Sequence, residues 1–411
     1  MEVLHPRCAG IDVSKRDAKV CVRVQAGEGR PTSTKITAWG ATTSQILALR
    51  DYLLAERVDT VLIESTSTYW KPFYFLLEDA VDVQLINARE SKTVPGRKTD
   101  VSDAGWLAEL GAHGLVHASF VPPLPVRELR ALTRRRSTIL RDRARELQRL
   151  EKDLEDTHLK LSAVVTDLAG LSSRAILAAV LAGETDPERL ADLAHPRLKA
   201  SRAELVEALT GRVTDHHRYL IRLGLRRYDN HTADLADLET QITQVMSPFR
   251  AAADLISSVP GVSSRTAQVI IAETGTDMTV FPTAAHLCSW AGLAPGIHES
   301  AGRSHPVSTT GGNTHLKAAL GTAALCATRS KTTYLGARYR RIAARRGKKK
   351  ALVAVERSIL TAIWHMLTTG AYYQDPGPDY YTRHDPARRA RHAIRELRAL
   401  GYTVTPAPVA A

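Results

Sequence analysis

Hydrophobic and polar positions change their rhythm twice along the chain. In the first part, short β-branched runs alternate with stretches of helical spacing. Residues 8–13 and 18–24 are rich in strand formers and are parted by the polar corner Ser14-Lys15-Arg16-Asp17. With residues 34–39 they read as antiparallel neighbours in a meander. Residues 44–57 then place Ile46, Leu47, Leu49, Leu53 and Leu54 at helical spacing, with Ser44 as the expected N-cap. Residues 60–63 are a short apolar run typical of a buried strand; 69–79 read as helix, 82–86 as strand and 100–112 as a closing helix.

Pro122, Pro123 and Pro125 mark a boundary beyond which strand signals disappear. Residues 128–161 read as one long charged helix in which Leu140, Leu147, Leu154 and Leu161 recur every seventh position, a coiled-coil-like seam. A second long helical stretch covers about residues 215–245. Such a pair fits an antiparallel stalk or an oligomer contact, and equally an ordinary bundle within one chain. From Ala251 a third part holds LISSVPGVSSRTAQVIIAETG, a Gly/Ser/Thr-rich loop over residues 292–313, two helices and a tail after Gly370. In that tail YYQDPGPDYYTRHDP is expected as loop and residues 387–400 as a basic surface helix. The composition shifts predict four regions: 1–125, 126–250, 251–370 and 371–411.

Three strands, helix, strand, helix, strand, helix is the order of a ribonuclease-H-like α/β fold. The expected class is therefore α/β plus all-α, with a ribonuclease-H-like N-terminal domain, a long helical coiled-coil-like middle and a mainly helical C-terminal domain. Asp12 ends the first strand and Glu64 ends the buried one, where α/β sheets expose their ligand crevice. Asp100 and Asp103 sit three apart in KTDVSDA, on one face of the helix they are expected to open. Carboxylates at a helix start also stabilise its dipole, and an aspartate after a strand also makes turns, so each acid has a structural reading beside the functional one. Together the four offer hard oxygen ligands for a pair of divalent ions of the kind that clamp attacking and leaving oxygens in phosphoryl transfer.

The segments AGIDVSK, VLIESTSTYW and INARESKTVPGRKTDVSDAGWLAEL resemble the N-terminal domain of the Piv/MooV-related DEDD transposases of insertion-sequence family one-hundred-ten, a domain similar to the RuvC resolvase. The resemblance puts the D, E, D and D on Asp12, Glu64, Asp100 and Asp103, and implies Mg²⁺, in two ions, as cofactor. Downstream, SWAGLAPGIHESAGRSHPVSTTGGNTHLKAAL resembles the second signature of that family and puts its nucleophilic serine on Ser300. Serine needs a base or a polarised phosphate to attack; Arg303 suits the phosphate, and His298 or His305 could move the proton. Taken without the resemblance, a serine in such a loop reads as a turn residue. The segment 255–275 is similar to a helix-hairpin-helix around Val259-Pro260-Gly261-Val262, with Ser263 where a second glycine is usual, and a plain helical hairpin fits as well. The resemblance further implies recombination of DNA guided by a structured bridge RNA, and an oligomer, dimer or tetramer, whose domains meet across protomers.

Charge agrees with a polyanionic partner. Lys and Arg number 56 against 43 acids, a formal net charge of +13. Arg134, Arg135, Arg136, Arg141, Arg143, Arg145 and Arg149 make one helix basic. Arg338, Arg340, Arg341, Arg345, Arg346, Lys348, Lys349 and Lys350 form a denser cluster, expected to meet phosphates without choosing sequence. Cys8, Cys21, Cys288 and Cys326 show no metal-ligand spacing and read as reduced thiols. No signal peptide or spanning run is evident, so the expected setting is the cytoplasm, at the nucleoid and away from membranes. Two rival functions remain at this point: a RuvC-like structure-specific nuclease that uses water as nucleophile, and a non-catalytic nucleic-acid-binding protein.

Overall fold

β1 (Arg7–Val13) lies at the centre of a five-stranded sheet of order β3-β2-β1-β4-β5. The computed structural model describes residues 2–25, 27, 31–95, 102–296, 299–300, 302–305, 308–309, 311–384 and 386–405. β2 (Asp17–Gln25) pairs antiparallel with β1, and β3 (Thr32–Gly40) antiparallel with β2 on the outer edge. On the other side β4 (Thr60–Glu64) and β5 (Asp82–Ile86) run parallel to β1. Helices α1 (Thr43–Ala55), α2 (Trp70–Leu77), α3 (Ala88–Thr93) and α4 (Asp103–Ala112) complete the unit Met1–Val121. The expected mixed α/β layer is therefore present.

The two-residue period of a strand decides what each side chain meets. Ala9, Ile11 and Val13 of β1, with Val61 and Ile63 of β4, pack against Ile46, Leu49 and Leu53 of α1 and Phe73 and Leu77 of α2. The intervening positions Cys8 and Leu62 face the opposite side, with Trp106, Leu107 and Leu110 of α4. Each fully buried Val, Leu, Ile or Phe among them contributes roughly 1.5–3 kcal/mol relative to exposure. Asp12 and Glu64 share the parity of Cys8 and Leu62, so both belong to the α4 side.

Two helix starts differ from expectation. α1 begins at Thr43 with Thr42, not Ser44, at the N-cap, and no side chain there caps the helix. α4 begins at Asp103, because Ser102 is extended and accepts from the backbone N–H of Gly105 at 3.1 Å.

Among the described residues, the regular elements of the second unit, Pro122–Ala411, are helices and one short hairpin. Pro125 in the first turn starts α5 (Leu124–Asp156) ahead of Glu128. The helix stops at Asp156, where His158 turns left-handed at φ 64°, so Leu161 belongs to a separate helix and the seven-residue seam is shorter than expected. The stretch that follows folds into α6 (Leu161–Val164), α7 (Leu171–Ala182), α8 (Pro187–Asp192) and α9 (Arg202–Ala208). Leu150 and Leu154 of α5 are buried among Leu161, Ile176, Leu177, Ile221 and Leu225, which gives these leucines an intrachain task. α10 (Asp215–Val245) returns antiparallel along α5, with Arg136 paired to Glu239 and Leu150 over Gly224.

α11 (Arg250–Ser257), α12 (Ser264–Thr274) and α13 (Ala284–Trp290) lead into the hairpin β6 (Glu299–Ser300) and β7 (Arg303–Ser304). Three helices follow rather than two: α14 (Thr314–Arg329), α15 (Tyr334–Arg346) and α16 (Lys348–Thr369), the last pair separated by Gly347 at φ 85°. The tail expected as loop contains α17 (Tyr380–His384), and α18 (Pro386–Ala399) follows it. Gly261, in the turn between α11 and α12, has φ 92°, and a Cβ there would stand 2.3 Å from the Ala323 carbonyl oxygen. Close packing on α14 thus accounts for that glycine. α16 has the length and composition of a membrane-crossing helix, but Val355, Ile359, Leu360 and Ile363 are buried in its own unit.

Candidate active site

Asp12 is half-buried near the end of β1, opposite Lys19 of β2. Glu64, also half-buried, ends the adjacent parallel strand, and the Ile11–Ile63 register sets the two acids at the same sheet edge. Asp103 occupies the first position of α4. That helix comes close because Gly10 has no side chain: a Cβ there would lie 2.1 Å from the Ala104 carbonyl oxygen and 2.5 Å from the Ala108 nitrogen. Burial first, then the charges of Asp103 and Glu64, push the Asp12 carboxyl above its ordinary range, while Lys19 opposes them. Three of the four predicted acids are thus brought into one electrostatic neighbourhood. Asp100 lies outside the described residues.

Ser91 was not foreseen. Its hydroxyl donates to Glu64 Oε2 at 3.1 Å, and its carbonyl accepts from the Trp106 indole N–H at 2.9 Å. α3 therefore links the acid on β4 to α4. Its only trace in the sequence is a small polar residue in a mostly polar run, which seldom signals burial. Among the described residues, no group of three or more His, Cys, Asp or Glu side chains is arranged to hold a metal ion. The donors nevertheless have the right chemistry: all are carboxylate oxygens, and Asp12 is raised by burial and then by the like charges of Asp103 and Glu64, which a cation would offset.

Ser300 lies in β6 of the second unit and pairs with Arg303 across a tight hairpin whose turn contains Gly302 at φ 72°. Arg303 is exposed, as is His305; His298 lies outside the described residues. Farther out, Pro295 bridges Thr309, and Lys317 Nζ lies 3.5 Å from Thr309 Oγ1. The loop ends at Asn313, whose side chain accepts from the backbone N–H groups of His315 and Leu316 and so caps α14.

Asn313 is in turn held by a residue that sequence reasoning missed. Its amide donates to Glu273 Oε2 at 2.6 Å. Glu273, fully buried on α12, also receives Arg134 on both oxygens, each at 2.8 Å, and has Arg130 Nε at 3.4 Å. Burial alone would raise the Glu273 carboxyl, but the Arg134 and Asn313 hydrogen bonds and the two arginines hold it below the ordinary range. Burial, with Arg134 beside it, lowers Arg130 to about 10 despite Glu273. The only sequence signal was an acid inside the apolar run VIIAETG.

In the dense basic cluster, Arg340 donates to the carbonyls of Ser330 and Lys331 at 3.0 and 3.1 Å, and Arg341 stacks 3.9 Å over the Tyr381 ring. Arg345, Arg346, Lys348, Lys349 and Lys350 are exposed.

Comparison with known proteins assigns these two halves to one class. Residues 9–159 match the DEDD transposase family of the IS110 type, and residues 253–340 match the transposase IS116/IS110/IS902 family. A relative from Streptomyces coelicolor, the insertion element IS110 uncharacterized 43.6 kDa protein, is 37% identical over 147 residues, or 34% of this chain. The matched part spans 35% of that relative's length. The protein is of the insertion-sequence transposase class. It belongs to the IS110 family of DEDD transposases.

Proposed function

We propose that the protein cuts and rejoins DNA by Mg²⁺-dependent phosphoryl transfer, with Asp12, Glu64, Asp100 and Asp103 as metal-binding carboxylates and Ser300 as nucleophile. The observation that carries this reading is the convergence of Asp12 and Glu64 at one edge of two adjacent parallel strands, with Asp103 of α4 near enough that burial, then Asp103 and Glu64, raise the Asp12 carboxyl. The strand order β3-β2-β1-β4-β5, with acids at the ends of two adjacent parallel strands, supports a ribonuclease-H-like, RuvC-like unit. Bound Mg²⁺, as one or two ions, would offset charge on the scissile phosphate.

Ser300 Oγ forms a bond to phosphorus and gives up its proton. The bond to the departing strand breaks, and that strand leaves as a hydroxyl. The phosphoserine linkage keeps the bond energy until a second hydroxyl attacks and rejoins the DNA. Arg303, cross-strand from Ser300, is suited to balance charge on the phosphate. Arg340, Arg341, Arg345, Arg346, Lys348, Lys349 and Lys350 would contact nucleic-acid backbone. Such contacts confer no sequence choice, which fits a structured bridge RNA as guide. The regions 1–125, 126–250, 251–370 and 371–411 then serve as catalytic domain, helical stalk, serine-bearing domain and basic tail. The stalk would assemble a dimer or tetramer in the cytoplasm, at the nucleoid.

The test is to trap a protein–DNA adduct under Mg²⁺, with DNA ends and guide RNA supplied. Ser300→Ala is expected to lose both adduct and strand transfer, and Asp12→Ala to lose all activity. Cleavage retained by Ser300→Ala would replace this reading with water-mediated hydrolysis. Activity retained by Asp12→Ala would remove catalysis from the carboxylates altogether.

A further inference from the structure

Three helices of the second unit, α5, α12 and α14, enclose a groove of about 520 Å³. Its charge follows from how the arginines are partnered. Arg130 and Arg134 share the single carboxylate of Glu273, and Arg136 and Arg265 share that of Glu239. Among the described residues, Arg141 donates to the Ser137 carbonyl and the Thr138 hydroxyl, both on its own helix. Of these arginines, Arg134, Arg136, Arg141 and Arg265 line the groove, with Glu273 as the carboxylate among its described lining residues, and a concave wall focuses the excess positive field.

We propose that this groove holds the sugar-phosphate backbone of one nucleic-acid strand, at a site distinct from the serine hairpin. Arg136 is almost wholly buried and fixed by Glu239 and Gln268, so it acts as support. Arg141 and Arg265 are solvent-accessible and can turn onto phosphate oxygens. Ser137 and Thr322 line the groove with hydroxyls that donate to backbone carbonyls of their own helices, while Ala318 and Ala319 leave room for a chain to lie against α14. No Phe, Tyr or Trp lines it among the described residues, so the mode is backbone contact rather than base stacking. His315 stands in the same wall; burial, then Arg134 and Arg141, hold its imidazole below the ordinary range. A phosphate placed among those arginines would reverse that effect and make His315 a reporter. The inference rests on the reading that the protein handles nucleic acid, and does not depend on the serine chemistry.

The experiment uses the full chain and a labelled single strand of about 12 nucleotides, as DNA and as RNA in separate arms, with fluorescence anisotropy across a salt series. Arg141→Ala is expected to weaken binding about 5-fold or more and to reduce the salt slope by about one phosphate contact. Ala319→Glu, which sets a carboxylate in the groove, should weaken it further. Arg222→Ala on α10, outside the groove, should bind as the unaltered protein does. His315 ring signals should titrate at higher pH with the strand present, and not in Arg141→Ala. Unchanged affinity and slope in both groove variants, each folded by circular dichroism, would overturn the proposal. So would inorganic phosphate displacing the strand at millimolar concentration with the same His315 shift, which would mark a free-anion site. If the groove variants bind normally while recombination still requires Ser300, this inference fails and the proposed function stands.

Discussion

Gly10 of β1 lies so close beneath Ala104 of α4 that a Cβ on it would stand 2.1 Å from the Ala104 carbonyl oxygen. A strand and a helix can meet at that distance only where neither carries bulk, and Ala104 and Ala108 supply the small face on the helical side. The contact sets the height of Asp103 above the sheet edge that holds Asp12 and Glu64.

Gly10→Ala is therefore expected to do two things. Forcing a methyl into backbone contact should cost about 2–3 kcal/mol of stability, by overpacking. It should also lift the start of α4 and pull Asp103 away from Asp12. At a temperature where the variant is fully folded by circular dichroism, strand transfer and the Mg²⁺-induced rise in Tm should both be much reduced. A variant that unfolds earlier yet keeps both metal responses would show that α4 does not position the acid.

Asp12→Asn tests the electrostatics directly. In the folded protein the Asp12 carboxyl is raised from 3.8 by burial, Asp103 and Glu64, so the native state holds that proton more tightly than the unfolded chain. The stability this contributes is complete below 3.8 and is lost as pH rises through the folded value. At neutral pH the charged Asp12 is thus a net burden without a cation. Water screens a half-exposed group, so replacement by Asn should stabilise by less than about 1 kcal/mol, a Tm gain of about 1–3 °C. Added Mg²⁺ should invert the order, since a ligand bound only by the folded state raises Tm by mass action and the variant lacks a donor. Equal Tm values with and without Mg²⁺ in both proteins would count against a metal at this edge.

The acids on β1 and β4 were legible because a carboxylate closing a buried apolar strand breaks a simple pattern, and strand parity then fixes its face. Gly10 sits in the same strand, but the sequence does not show which helix will press on it. The roles of Ser91 and Glu273 were not legible for another reason: their partners are remote. Arg134 lies 139 positions from Glu273 and Asn313 lies 40 away, and no local period encodes such a pairing. The seven-residue leucine spacing is only partly kept: Leu161 falls outside α5, while Leu154, with Leu150 one turn before it, is buried. Their occupant was not foreseen, because the helices that cover Leu150 and Leu154 come from the short, irregular stretch α6–α9.

Glu273→Gln would remove the charge on which α5, α12 and the end of the serine loop converge. The amide keeps the shape but presents one acceptor where Arg134 now finds two, and its NH₂ group opposes donors from Arg134 or Asn313. Arg130, already lowered to about 10 by burial and by Arg134, loses the Glu273 charge that opposes them. Breaking a buried pair in this way should cost about 3 kcal/mol at pH 7. The folded Glu273 carboxyl lies below its ordinary 4.5, so its contribution is complete above 4.5 and is lost as pH falls through the folded value. The Tm difference between the two proteins should accordingly shrink as the solution is acidified. Because Asn313 caps α14, the amides of His315 and Leu316 should also exchange with solvent faster in the variant. Calorimetry across pH and hydrogen exchange at pH 7 check both outcomes. An unchanged Tm at neutral pH would mean that the arginines find other partners and that the buried glutamate does not anchor the loop.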